Sequence, residues 1–403
     1  MIISEENIKY SLKNLYQRKS RSLLTIVSIF VGIMTIFVFI SFGLGLYSYV
    51  GEFTTGSSAD KVIIQPRGSG MPGLDNTFAL TDDDLDAISK TSGVYEASGV
   101  VFKVVEVEKS GAKKYTFMMG YDPKTPLIME FFDMDMDKGR WLKSGEKNKA
   151  IFGYNYQIDD RIFSRGYDLN DNLKVDGGKI KAVGFFESVG SPPDDAQIYV
   201  TNDFIEELYP NETISYGWII ARVDPSNIDN VVENIEKNLR KERDLEKGKE
   251  DFYVQSFQDM METYANVLNG IVGFIILIAL ISVFVSAINT ANTMITSVLE
   301  RYKEIGIIKS IGARNSEIFK IFLFESGFLG FVAGVVGVWF GFSFSFIGGK
   351  LLTNLGWGFL SPSYPASLFI GCILFATITG AISGVIPAMK ASKINPVDAL
   401  RYE

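Results

Sequence analysis

The chain has 403 residues, 47% of them hydrophobic, with 39 Lys and Arg against 47 Asp and Glu, a net charge of −8. A positive mean hydropathy is too apolar for an ordinary soluble enzyme, yet the charge is too high for a chain wholly in lipid, so the apolar residues must be segregated. With no His and with Cys372 as the one cysteine, disulfides, Cys/His zinc sites, histidine general bases and a cysteine–histidine nucleophile are excluded.

In chain order, residues 1–21, "MIISEENIKYSLKNLYQRKSR", read as a cytoplasmic amphipathic helix starting after Ser4. Ile8, Leu12 and Leu15 share a stripe, while Lys9, Lys13 and Arg18 lie elsewhere, a pattern suited to the inner headgroup surface. A solvated basic leader is the plainer alternative. The apolar run from Leu23 to Leu46 exceeds a signal-peptide core and lacks a small-x-small cleavage site, so 22–50 reads as a retained transmembrane helix.

Residues 51–262 have the texture of a large mixed α/β domain inserted between the first and second spans. "DKVIIQP", "GVVFKVVEVE", "KYTFMMG", "KIKAVGFFE" and "YGWIIARV" read as strands; "LTDDDLDAISK" and "PSNIDNVVENIEKNLRKER" open helices. "RGSGMPG" at 67–73 reads as a loop. Two lobes are expected, about 51–120 plus 213–262, and 121–212. The stretch "FYVQSFQDMMETYANVLNGIVGF" turns from strand to helix around Ser256 or Gln258 and would run into the second span as a rigid stalk.

Three further spans follow: 263–290 around Ile271–Ile288, 318–347, and 367–388, separated by a segment at 291–317 and a loop at 348–366, with a tail at 389–403. In the third, Gly330, Gly334, Gly337 and Gly341 sit four apart in pairs; the fourth carries Gly380 and Gly384. Such glycines let helix backbones approach closely in lipid, where tight packing of these two spans is the expected use. Residues 51–262 hold 25 basic and 39 acidic residues, a net −14, whereas the remainder carries +6. By the positive-inside tendency both termini and 291–317 are cytoplasmic and 51–262 is outside, in a multi-pass protein of the cell (inner or cytoplasmic) membrane.

Several tempting motifs fail. "DMDMDKGRW" alternates Asp133, Asp135 and Asp137, but a calcium loop needs Gly and Glu where Lys138 and Ser144 stand, so no metal site is assigned. Asp82, Asp83, Asp84 and Asp86 follow Thr81 as acids in the first turn of a capped helix. "NET" at 211–213 fits a glycosylation triplet, which chance also produces. No phosphate-cradling G-x-x-x-x-G-K-[ST] occurs.

The segment "ERYKEIGIIKSIGA" at 300–313 is different. On a helix, Ile305, Ile308 and Ile311 form one stripe, Arg301 and Glu304 can pair, and Gly312 suits the C-terminus. Asn315 or Ser316 is expected to cap the next helix. So short a helix is marginal in water and needs something to dock against, the lipid surface or another protein.

Three separated motifs resemble the MacB/FtsX-type ABC transporter permease family. "SVLERYKEIGIIKSIGARNSEIFKIFLFES" is similar to its S-V-x-E-R-x-x-E-I-G signature; "SLKNLYQRKSRSLLTIVSIFVGI" resembles its opening pattern, with Ser28 where Gly is usual; "PAMKASKINPVDALRYE" resembles its closing one. The resemblance implies a non-catalytic permease whose 291–317 segment is a coupling helix inserted into a cytoplasmic ABC ATPase. Glu300, Arg301, Glu304, Gly306, Lys309, Gly312 and Ala313 match the motif and are the implied contacts. It also implies mechanotransmission: a separate ATPase subunit dimer binds ATP and Mg and drives the outer domain through the stalk. Pairing with a second copy or a sibling permease is implied, and so is export of a peptide, drug or lipoprotein, or activation of an extracytoplasmic partner or adaptor. No cofactor in this chain and no nucleic acid are expected. The alternative is an ATP-independent receptor or scaffold signalling through the same helix.

Overall fold

The computed structural model describes residues 19–53, 58–68 and 79–401. Residues 1–18 of the amphipathic helix expected at 1–21 and most of the loop expected at 67–73 therefore lie outside the described residues, and 19–21 open the first long helix. Two compact units divide the chain, one within Met1–Leu46, Val267–Leu351 and Leu360–Glu403, the other within Tyr47–Asn266 and Leu352–Phe359.

In the second unit, ten strands form one mixed sheet: β1 (Lys61–Pro66), β2 (Val94–Lys109), β3 (Ala112–Tyr121), β4 (Met136–Gly139), β5 (Lys149–Phe152), β6 (Asn172–Val175), β7 (Gly178–Phe186), β8 (Ile198–Thr201), β9 (Trp218–Val223) and β10 (Phe252–Ser256). Their order is β10-β1-β9-β2-β3-β8-β5-β7-β4, with β6 bridging β2 and β7. Period-two alternation places Val62 and Ile64 on one face and Ile63 on the other. The residues expected in two lobes share this sheet because β2 is 16 residues long. Its first half pairs with β9 and the rest with β3, which in turn pairs with β8 from the middle of the chain.

Numbering helices along the chain, α1 is Lys19–Phe53, and α2 (Asp82–Ser89), α3 (Leu127–Phe131), α4 (Asn202–Leu208) and α5 (Ile228–Glu242) accompany the sheet. Thr81 caps α2 as expected: its hydroxyl accepts from the Asp84 amide while the Asp84 carboxylate accepts from the Thr81 amide. Ile88 of α2 and Val231, Ile235 and Leu239 of α5 join Val62 and Ile64 in one core.

The helices α6 (Phe257–Glu300), α7 (Tyr302–Ser310), α8 (Asn315–Asn354), α9 (Ala366–Ser392) and α10 (Pro396–Arg401) complete the chain. Among the described residues, α1, α6, α8 and α9 are long and apolar enough to cross a membrane. Ser256 starts α6 reciprocally: its hydroxyl accepts from the Asp259 amide, and the Asp259 carboxylate accepts from the Ser256 hydroxyl at 2.7 Å. Helix α6 then runs 44 residues, ~66 Å at 1.5 Å per residue. The loop expected at 348–366 is shorter, because α8 continues to Asn354.

Small residues decide how the long helices meet. A methyl on Gly330 would strike the Ala376 carbonyl oxygen, one on Gly334 would lie 2.8 Å from the Ala376 methyl, and one on Gly380 would lie 2.7 Å from the Ser326 carbonyl oxygen. Gly384 lies against Ser326, so Gly330, Gly334, Gly380 and Gly384 line the α8–α9 seam. Gly337 and Gly341 instead face Ile33 and Phe37 of α1, which corrects the expectation that all six glycines pack the third and fourth spans together. Polar links add to this packing: Asn289 of α6 donates to the Ser28 hydroxyl at 2.6 Å, and the Ser41 and Ser345 hydroxyls lie 2.7 Å apart.

Candidate functional site

The short helix α7 is built from a break in α6. Arg301 donates its amide to Ser297 O and Val298 O, both at 3.2 Å, while its own carbonyl accepts from the Ile305 amide at 2.9 Å. One residue thus ends one helix and opens the next. At the other end, Gly312 has φ +108°, a left-handed geometry that glycine adopts without a Cβ clash. Its amide reaches Lys309 O at 3.1 Å and the Ala313 amide reaches Ile308 O at 3.3 Å, the paired bonds of a Schellman motif. The next cap is Arg314 rather than Asn315 or Ser316: its amide donates to the Glu317 carboxylate at 3.0 Å, since α8 already begins at Asn315.

Two of the segment's three cations, Arg301 and Lys309, turn inward, while Lys303 is exposed. Arg301 is 3% exposed; its Nη1 donates to Glu325 Oε2 of α8 at 3.2 Å, its Nε donates to Glu304 Oε2 at 3.3 Å, and its guanidinium lies 5.0 Å from the centre of the Phe322 ring. Lys309 Nζ donates to Ser392 O at 2.9 Å and Ile394 O at 2.6 Å, at the end of α9. Gly306 is buried, and a Cβ there would sit 2.5 Å from the Ala399 methyl of α10. Ile305 packs with Met294, Val298, Ile318, Phe322, Ala388, Ala391, Ile394 and Ala399, and Ile308 and Ala313 flank that cluster.

The seven residues expected to form one contact face therefore separate. Glu300, Glu304 and Gly312 are exposed and Ala313 is half-buried, but Arg301 and Gly306 are buried and Lys309 is half-buried on the tail. Ile311 also departs from its expected stripe: past the last helical turn it is 81% exposed. With Ile307, 48% exposed, it continues a row from Glu304 at helical spacing, while Glu300 lies across the Arg301 break on α6. The outward face of α7 is thus Glu304, Ile307 and Ile311, with exposed Lys303 beside Glu304, so it is charged at one end and apolar at the other. The two isoleucines four apart were the sequence signal for it, masked by Ile305 and Ile308 beside them. Among the described residues, no cluster of three or more His, Cys, Asp and Glu is arranged to hold a metal. This arrangement is equipped to dock a partner.

Comparison with known proteins bears on the whole chain. Residues 22–238 match the MacB-like periplasmic core domain, and residues 276–396 match the FtsX-like permease C-terminal family. Over 402 residues the chain is 31% identical to an uncharacterised ABC transporter permease of Methanocaldococcus jannaschii, covering 99% of this chain and 98% of that protein. It is 27% identical to an uncharacterised ABC transporter permease of Bacillus subtilis, covering 99% of this chain and 100% of that one. It is 25% identical to the macrolide export ATP-binding/permease protein MacB of Neisseria gonorrhoeae, covering 99% of this chain but 61% of that protein.

Proposed function

The chain belongs to the MacB/FtsX-type family of ABC transporter permeases, and we propose that it is a permease subunit whose α7 docks on a separate ABC ATPase and passes the nucleotide-driven stroke to the outer domain. End-to-end correspondence with two proteins named as permeases alone supports a separate ATPase subunit. MacB, whose name adds an ATP-binding part, extends well beyond the matched length. ATP and Mg are bound by that partner, and two permease subunits, identical or sibling, face two ATPases. The surplus of basic residues outside 51–262 supports placing α7 and both termini on the cytoplasmic side of the cell membrane.

One observation carries this reading. A nine-residue helix, marginal alone, is clamped by internal partners through Arg301, Gly306 and Lys309, while Ile307 and Ile311 are exposed and Glu304, bonded to Arg301 through one oxygen, is exposed as well. The unbroken α6 supports transmission, because one helix runs from the Ser256 cap to the Arg301 break. The work done outside is export of a peptide, drug or lipoprotein, or activation of an extracytoplasmic partner. Detergent pull-down followed by an ATPase assay tests the reading with Glu304→Lys and Ile307→Asp. Both variants are expected to lose the ATPase and its permease-dependent change in hydrolysis. Unchanged assembly and hydrolysis in both variants, or copurification of a kinase in place of an ATPase, would contradict it.

A further inference from the structure

The closing segment "KINPVDALR" at 393–401 resembles the family's ending, yet none of its residues lies on the outward face of α7. We propose that this segment is the buttress that sets the orientation of the α7 docking face, with Lys309 and Gly306 as positioning residues. The inference rests on α7 being the coupling helix.

Four observations converge. The last carbonyls of a helix lack intrahelical donors, and a cation there is favoured. At the end of α9, Ser392 O and Ile394 O both point to Lys309 Nζ, so one ammonium joins α9 and the tail to α7. Next, Ile394 is buried in the same cluster as Ile305. Asn395 then turns the chain into α10, its carbonyl accepting from the Ala399 amide at 3.1 Å and its side-chain oxygen from the Val397 amide at 3.2 Å. Finally, that turn seats Ala399, 1% exposed, against Gly306, where a larger side chain would push α10 away.

The consequence is mechanical. Arg301 fixes the start of α7 to α8 through Glu325, and Lys309 fixes its end to the tail. Without the second fixing point, α7 keeps its Arg301 clamp and its place in the Ile305 cluster, but its C-terminal half is held less firmly and its outward row loses a defined direction. A docking partner would then have to order the helix as it binds, which lowers affinity without removing any contact residue.

The test uses the full chain in nanodiscs, comparing wild type, Lys309→Met, Lys309→Arg and a chain ending at Ser392. Amide exchange across 304–311 is expected to quicken by about tenfold to a hundredfold in Lys309→Met, the scale of a lost charge-assisted hydrogen bond, with β1, β2 and β9 unchanged. The shortened chain should behave alike, and Lys309→Arg should restore most of the protection. Affinity for an ABC ATPase copurified with the wild-type chain should fall in the same two variants and return with Arg. Unchanged exchange at α7 in both would overturn the proposal, as would a loosened α7 that keeps wild-type ATPase affinity and hydrolysis. If the wild-type chain binds no ATPase, the coupling-helix reading and the proposed role both fall, while the exchange data still decide whether the tail holds α7.

Discussion

Arg301 and Glu325, 24 positions apart, meet at 3.2 Å with both side chains almost fully buried. From sequence, Arg301 pairs with Glu304 on a helix surface; in the fold that contact is the secondary one, and the buried carboxylate of α8 is what holds the α6–α7 break in place. Breaking a buried ion pair by removing one member costs roughly 3–5 kcal/mol, and less where, as for Arg301, a second carboxylate at Glu304 remains. Arg301→Leu and Glu325→Leu should each lower the melting temperature in detergent by more than the double variant does. A double variant as unstable as the sum of the singles would show that the pair contributes no coupling.

The glycine seam predicts a sharp positional contrast. Gly330→Val meets the Ala376 carbonyl and Gly380→Val meets the Ser326 carbonyl, whereas a methyl at Gly371 of α9 meets nothing within 4 Å. The two seam variants are expected to lose about 1–3 kcal/mol, as overpacked cores do, or to fail in assembly, while Gly371→Ala remains near wild type. Thermal melting and gel filtration in detergent distinguish these outcomes.

Acid should weaken the outer domain through Glu146. Hydrogen bonds from Arg140 hold its carboxyl down at about 2, helped by Lys149 and by the Lys143 amide. A carboxyl depressed in the folded state contributes stability that is complete above its ordinary value near 4.5 and is lost as pH falls towards about 2. Asp84 acts in the same sense: burial alone would raise it, but Arg243 and Thr81 keep it below the usual range. Burial pushes Asp195 up, so its contribution is lost as pH rises and runs the other way. Urea unfolding of the outer domain within the full chain, followed by amide exchange at pH 6 and pH 3, should show less acid sensitivity in Glu146→Gln than in wild type.

Sidedness is open to chemical labelling. In a Cys372→Ser background, a cysteine at exposed Ser310 should resist a membrane-impermeant maleimide in intact cells, and one at exposed Tyr115 of β3 should react. Reaction at Ser310 and protection at Tyr115 would reverse the assigned topology.

What the sequence disclosed was whatever is local. Hydropathy marked the long helices, Thr81 and Ser256 marked helix starts, and alternation marked β1, β2, β3, β7 and β9. Strands β4, β5, β6 and β8 are four residues each, too short for a period to register, and exist because long neighbours supply their hydrogen bonds. The inward turn of Arg301 and Lys309 was likewise invisible. Their partners, Glu325 and the carbonyls of Ser392 and Ile394, are brought close only by the packing of α7 against α8, α9 and the tail. The resemblance implies both residues as ATPase contacts; in the fold their side chains bond to Glu325 and to the carbonyls of Ser392 and Ile394.

The most direct measurement of the central claim is site-specific photocrosslinking along α7 in the full chain assembled with its ATPase, using a photoreactive residue at Ile305, Ile307, Ile308 or Ile311 in turn. Strong crosslinks to the ATPase from Ile307 and Ile311, with Ile305 and Ile308 reacting only within the chain, are the predicted result. Crosslinks to the ATPase from Ile305 and Ile308 with none from Ile307 and Ile311 would contradict it.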